Sequence, residues 1–210
     1  MASKNEKVGF IFECGSGGPD YQVCHYFLGR LNPGIDMIPR FLDNAERLLN
    51  ECGDVAASLL SIEKCNRVVV AWDLEPAWGG DACRHEDRDR ALKSLTDAKV
   101  RLNHVLLLCI ERELECWLMA DKRALQTVLG KFKHPHVVGP LPDFRRPDAQ
   151  IGRPKTELIN LFRRELGTGR KYVDRDHALP LARAIPDWRK VRRSDSFRRF
   201  AEKAARVNLP

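Results

Sequence analysis

No apolar run in the chain approaches the ~18 residues that a membrane-spanning helix requires, so no spanning helix is expected. The opening residues, MASKNEKVGF, have neither the apolar core nor the small-residue cleavage site of a secretory signal, and a cytoplasmic location is the expectation. Cysteine is present but unpaired in pattern. Cys14, Cys24, Cys52, Cys65, Cys83, Cys109 and Cys116 include no Cys-x-x-Cys, and their odd number argues against a closed disulfide framework. They are expected to be reduced and partly buried. Cys83 and His85 offer donor atoms to zinc, but no second pair stands at zinc-finger spacing, and His134 and His136 around Pro135 read as a solvated loop. Neither G-x-G-x-x-G nor G-x-x-x-x-G-K-[ST] occurs, which ranks nucleotide binding low. The absence of G-x-S-x-G removes the obvious serine-hydrolase reading. There is no internal repeat and no low-complexity segment.

What is present suits a soluble α/β protein. Of 210 residues, 43% are hydrophobic and 31% charged, enough for one α/β domain with an appendage. Charge is divided unevenly. Residues 1–121 hold 14 Lys and Arg against 20 Asp and Glu, a net of −6, whereas residues 122–210 hold 22 against 9, a net of +13. The first part is suited to cations and the second to polyanions. Within the second, WRKVRR and SFRRF make Arg192, Arg193, Arg198 and Arg199 the candidate contacts to a phosphate backbone.

Hydrophobic patterning alternates between strand and helix. KVGFIF (7–12), IDMIPRFL, RVVVAW and HVLLLCI read as strands, the last two buried on both faces, with Pro39 marking the second as an edge or a strand end. Helices are expected in YQVCHYFLGRL with Asp20 as N-cap, in NAERLLNECGDVAASLLSIEKC, in EDRDRALKSLTDAKV, and as one continuous segment in RELECWLMADKRALQTVL. The order predicts a mostly parallel, Rossmann-like sheet flanked by helices over residues 1–130. A Pro-rich connector follows, and then a basic helical region expected to pack on that domain. Its helices are predicted near 154–166, 174–185 and 195–207, the last capped by Ser194 or Asp195.

In an open parallel sheet, ligands collect beyond the carboxyl ends of the strands. Glu13 follows the first strand; Asp73 and Glu75 follow the third; Glu111, Glu113 and Glu115 follow the fourth. Asp73 and Glu75 lie on one side of an extended chain, and a hard cation with oxygen ligands makes their repulsion tolerable. Asp73 as a helix cap with Glu75 in a solvated loop is the alternative. Glu113 and Glu115 equally suit the positive end of a helix dipole.

Glu13 before a glycine-rich turn, together with Asp73-Leu74-Glu75 after the third strand, resembles the TOPRIM domain, the metal-binding module of topoisomerases, primases and OLD-family nucleases. ELECWLMAD (113–121), RPKTELINLF and DSFRRFAEKA resemble a family of small TOPRIM-like bacterial proteins associated with ATPases in phage defence, so the resemblance covers most of the chain. It implies a Mg2+ or Mn2+ site at Glu13, Asp73 and Glu75, with Glu113 and Glu115 as ligands of a second metal or its supporting shell. It also implies that Lys155, after the acidic cluster, contacts a scissile phosphate. Two departures stand out: Cys14 interrupts the usual Glu-Gly, and Glu75 replaces a second Asp.

The resulting expectation is a metal-dependent phosphodiesterase cutting DNA or RNA, with Glu13 as a metal ligand or general base and Lys155 as the second catalytic residue. An ATPase is the expected kind of protein partner, and the state of oligomerisation is open. The rival is a non-catalytic adaptor that binds nucleic acid or the ATPase, kept alive by Glu13-Cys14-Gly15.

Overall fold

The computed structural model describes residues 5–74, 84–132 and 138–209, so Glu75, Cys83, His134 and His136 lie outside the described residues. The chain forms two compact units: Met1–Ile110 with Arg199–Asn208, and Glu111–Arg198 with Leu209–Pro210. The first unit thus breaks off at Ile110 and takes up Arg199–Asn208 again, whereas the sequence suggested a boundary near residue 130.

In the first unit, β1 (Glu6–Phe12), α1 (Pro19–Leu31), β2 (Ile35–Phe41), α2 (Ala45–Ser61), β3 (Arg67–Leu74), α3 (Arg84–Asp97) and β4 (Val105–Glu111) alternate as the patterning requires. The four strands form one all-parallel sheet in the order β2-β1-β3-β4. Pro39 sits opposite Phe10 on β2, an edge strand, where a missing N–H costs least. Ile11, Val68, Val70, Trp72 and Cys109 share one core with Leu48, Leu49, Cys52, Ala56 and Leu59 of α2 and Ala91 and Leu95 of α3. Each such large side chain contributes roughly 1.5–3 kcal/mol by leaving water. Alternation turns Phe10 and Phe12 to the other face, where Phe12 meets Tyr21 of α1 at 5.9 Å between rings.

Two local devices tighten this unit. Gly53 lets α2 approach α3 so closely that a Cβ there would lie 2.1 Å from the Ser94 carbonyl oxygen, while the Gly53 N–H donates to Ser94 Oγ at 2.9 Å. At the far end of the chain, Phe200–Ala204 forms a π-turn. The carbonyls at its end lack an onward partner in the turn, and the buried Arg67 guanidinium donates to those of Lys203 (3.1 Å) and Ala204 (2.7 Å) while pairing with Glu6 at 2.9 Å.

The second unit is helical: α4 (Glu115–Met119), α5 (Lys122–Phe132), α6 (Pro147–Gln150), α7 (Pro154–Leu166), α8 (Asp174–Ala184) and α9 (Asp195–Arg199). The single helix expected over 112–129 is two helices, broken at Asp121. That carboxylate is fully buried and accepts from the Arg123 N–H (3.0 Å) and the Arg123 guanidinium (2.6 Å), so it caps α5 instead of continuing α4. Trp117 and Leu118 are core residues, with Trp117 edge-on to Phe197 at 5.3 Å. Trp117 Nε1 donates to Ser196 Oγ (2.8 Å), and Ser194 Oγ accepts from the Phe197 N–H (3.1 Å), which makes Ser194 the expected cap of α9. Among the described residues, no helix is long and apolar enough to cross a membrane. Six described cysteines are free thiols, five of them buried.

Candidate functional site

The first cluster belongs to the first unit. β1 and β3 are neighbours, paired so that Phe12 lies opposite Ala71, and the acids one and two residues further on meet at the carboxyl edge. Glu13 Oε1 accepts the Asp73 N–H at 2.6 Å, and both residues are partly buried. The turn that holds Glu13 there is closed by the Gly18 N–H donating to the Gly15 carbonyl (2.9 Å), with Gly17 at φ +76°. Cys14 fits where the resemblance has glycine because Gly18 has no Cβ. A Cβ on Gly18 would stand 2.7 Å from Cys14 Cβ and 2.8 Å from its Sγ. The altered turn therefore still delivers Glu13 to β3.

Sequence reasoning missed two further acids at this edge. Asp20 does not cap α1: Gly18 is the N-cap, Pro19 fills the first position, and Asp20 lies in the first turn. Its charge is felt by two thiols. Burial, then Asp20, then Glu13 push the Cys14 thiol up to about 12. Burial, Asp20 and Asp73 push the wholly buried Cys24 well above its ordinary value. Glu13, Asp20 and Asp73 thus make one negative field, in which Cys14 and Cys24 stay protonated at neutral pH. Asp43, beyond the end of β2, holds a left-handed φ of 66° and places Oδ1 3.6 Å from where a Gly15 Cβ would be, while pairing with Arg47 at 3.2 Å. The rule that loops beyond strand ends build sites, applied to β2 as well, would have found Asp43.

These groups suit a hard cation in kind, since Glu13 and Asp73 are oxygen donors and protonated thiols are poor competitors. Among the described residues, no three His, Cys, Asp or Glu side chains are grouped so as to hold a metal. The third expected donor, Glu75, is outside them.

The second cluster belongs to the second unit. Arg112 takes a left-handed φ of 72° just after β4, so the helix starts at Glu115 and not near residue 112. Glu113 Oε2 accepts the Lys155 N–H at 2.8 Å and so caps α7 from outside it. Lys155 Nζ donates to Asp174 Oδ2 at 2.6 Å. Burial disfavours the ammonium, but the hydrogen bond to Asp174 and the charges of Asp174, Glu115 and Glu113 outweigh it and hold its pKa above the ordinary lysine value. For Asp174 too, burial is outweighed, by bonds from Lys155 and the Arg175 N–H, and its pKa is lowered. Glu115, 6% exposed, accepts from the Tyr172 hydroxyl at 3.1 Å. Glu113, Glu115 and Lys155 belong to this unit and Glu13 and Asp73 to the other, and each of the first three has a partner that orders the helices. Asp148, which sequence reasoning passed over, accepts on Oδ2 from Ser194 Oγ (3.0 Å) and the Ser196 N–H (3.1 Å), and burial raises its pKa.

The four candidate arginines differ. Arg193 reaches Asp143 (3.4 Å) and the Phe144 carbonyl (3.2 Å), and Arg198 pairs with Asp195 at 2.6 Å. Arg199 donates to the Cys109 carbonyl at 3.2 Å, within the first unit. Arg192 is half-buried and has no side-chain partner among the described residues.

Comparison with known protein families, with curated proteins and with solved structures finds no match.

Proposed function

We propose that the protein is a divalent-metal-dependent phosphodiesterase acting on nucleic acid, its chemistry centred on the carboxyl edge of β1 and β3. The observation that carries this reading is the meeting of Glu13 and Asp73 there, in a field made more negative by Asp20. Glu13, Asp73 and Glu75 would hold Mg2+ or Mn2+. When bound, such an ion stabilises charge developing on the oxygens of a phosphodiester. Alternatively, Glu13 would accept a proton from the attacking water. Lys155 stays protonated at neutral pH and would exchange Asp174 for a phosphate oxygen. The net +13 of residues 122–210 supplies the attraction for a nucleic-acid backbone, and a TOPRIM-like ancestry, as the motifs suggest, fits the same picture.

A second reading is favoured by one feature. The Asp73 N–H engages Glu13 Oε1 at 2.6 Å, one of the two oxygens Glu13 would offer a metal, which suits an adaptor that binds nucleic acid without cutting it.

The test uses pure protein with plasmid, single-stranded DNA and RNA in Mg2+, Mn2+ or chelator. We expect cleavage that needs a metal and disappears in Asp73→Asn. Calorimetric titration of each ion should give a binding isotherm for the wild type and none for the variant. Equal metal binding by both proteins overturns the assignment. Asp73→Asn should leave the fold intact, since it removes like-charge repulsion in the apo state.

A further inference from the structure

The amino-terminal edge of the same sheet, opposite Glu13 and Asp73, carries a cavity of about 540 Å3 that the proposed chemistry does not use. It lies where α2 and α3 end and β3 and β4 begin. Ala57, Leu60, Cys65, Ala98 and Val100 supply an apolar floor, and Lys99, Arg101 and His104 supply the polar rim. Its volume falls within the about 300–1,000 Å3 of small-molecule sites, and it opens widely to solvent, so a ligand would be covered on one side only.

Three observations fix the charge of what would fit. Lys99 and Arg101 are exposed and have no side-chain hydrogen bond or ion pair among the described residues. The acids nearest in sequence are engaged elsewhere: Glu63 by Arg40 and Asp97 by Lys93, each at 2.5 Å. His104 is steadied by a contact of Nδ1 with the Asn66 carbonyl at 3.2 Å. The backbone adds a fourth. Lys99 holds a left-handed φ of 57° just past α3, where the Lys99 N–H donates to the Thr96 carbonyl (2.9 Å) and the Val100 N–H to that of Leu95 (2.9 Å). Glycine would adopt this position at less cost. Lysine there places a cation beside the cavity mouth.

We infer that this cavity is a binding site for a small amphipathic anion, an aromatic or aliphatic body carrying one carboxylate, sulfonate or phosphate, seated on Leu60 and Val100 with its charge toward Lys99 and Arg101. The inference does not rest on the phosphodiesterase reading, because the site shares no residue with it.

The probe is 8-anilinonaphthalene-1-sulfonate, compared with N-phenyl-1-naphthylamine, which has the same aromatic body and no charge. Wild-type protein should bind the sulfonate saturably at one site, with amide chemical-shift changes centred on residues 57–66 and 98–104. Lys99→Glu with Arg101→Glu should weaken the sulfonate by about tenfold or more, from two lost exposed attractions replaced by repulsions, and leave the neutral probe's affinity unchanged. Ala57→Trp, which fills the floor, should abolish both. Melting curves of each variant show that the fold persists. Sulfonate binding untouched by the charge reversal, shift changes centred elsewhere, or no saturable binding by the wild type would each overturn the proposal.

Discussion

Cys14 and Gly18 show how one side chain dictates its neighbour. Gly18 has φ −60°, a value open to any residue, so its constraint is steric, not conformational. A methyl group there meets Cys14 at 2.7–2.8 Å, and overpacking of this kind costs about 1–3 kcal/mol. We expect Gly18→Ala to destabilise the protein by that order in the wild type and by clearly less beside Cys14→Gly. The double-mutant cycle, read by urea denaturation, should return a coupling of about 1 kcal/mol or more. Simple additivity would mean the turn has another determinant. The same residues explain what was legible at the site. The convergence of Glu13 and Asp73 could be read because strand order alone carries both to one edge. Asp20 was misread as a cap because its effect on Cys14 and Cys24 is electrostatic and leaves no local sequence mark.

Among the elements, β1 and β3 were legible because continuous apolar runs encode central strands, and β2 because Pro39 suits an edge or a strand end; β4, expected to be buried on both faces, is the other edge strand, and its residues 105–107 are only partly buried. The break between α4 and α5 was not, since apolar periodicity runs through it and only the burial of Asp121 against Arg123 ends one helix and caps the next. Lys155 is a cation in the first turn of α7, where the helix dipole disfavours one. Its reasons, Glu113 and Asp174, lie 42 and 19 residues away in the chain. This ion pair has a pH signature. Asp174, with its folded pKa lowered, contributes stability present above the unfolded value and lost as pH falls through the folded one. Lys155, with its pKa raised, contributes stability present below the unfolded value and lost as pH rises through the folded one. The pair is a third to a half exposed, so its worth is about 1 kcal/mol or less. Asp174→Asn should therefore be less stable than wild type by a constant amount between about pH 5 and 9, and the gap should close below about pH 4 as the wild type loses its own carboxylate. A gap that persists at low pH, in urea denaturation across that range, would place the effect in helix capping and not in the ion pair.

For the molecule as a whole, the proposed function assigns chemistry to the part of net charge −6 and attraction to the part of +13, and the arginines would let that attraction be counted. Arg192 has no side-chain partner to give up among the described residues, whereas Arg193 shares Asp143 with Lys190, which lies 3.0 Å from it. The Lys190 hydrogen bond, opposed by some burial and aided by both cations, holds the Asp143 carboxyl below its usual range. Arg193 must leave that acid to meet a phosphate, so its net gain on binding is smaller. Arg192→Ala should reduce the log–log salt slope of binding by about 0.9 on duplex DNA or about 0.7 on single strands, and Arg193→Ala by less. Asp73→Asn should leave that slope unchanged while removing cleavage, because on the proposed reading Asp73 would hold the metal and make no backbone contact. Filter binding at several salt concentrations, with cleavage followed on the same samples, separates the two effects. A steep slope with no cleavage in any metal makes the adaptor reading the better one. A slope indifferent to Arg192 moves the interface elsewhere on the basic surface, and no salt-dependent binding at all leaves both readings without a polyanion.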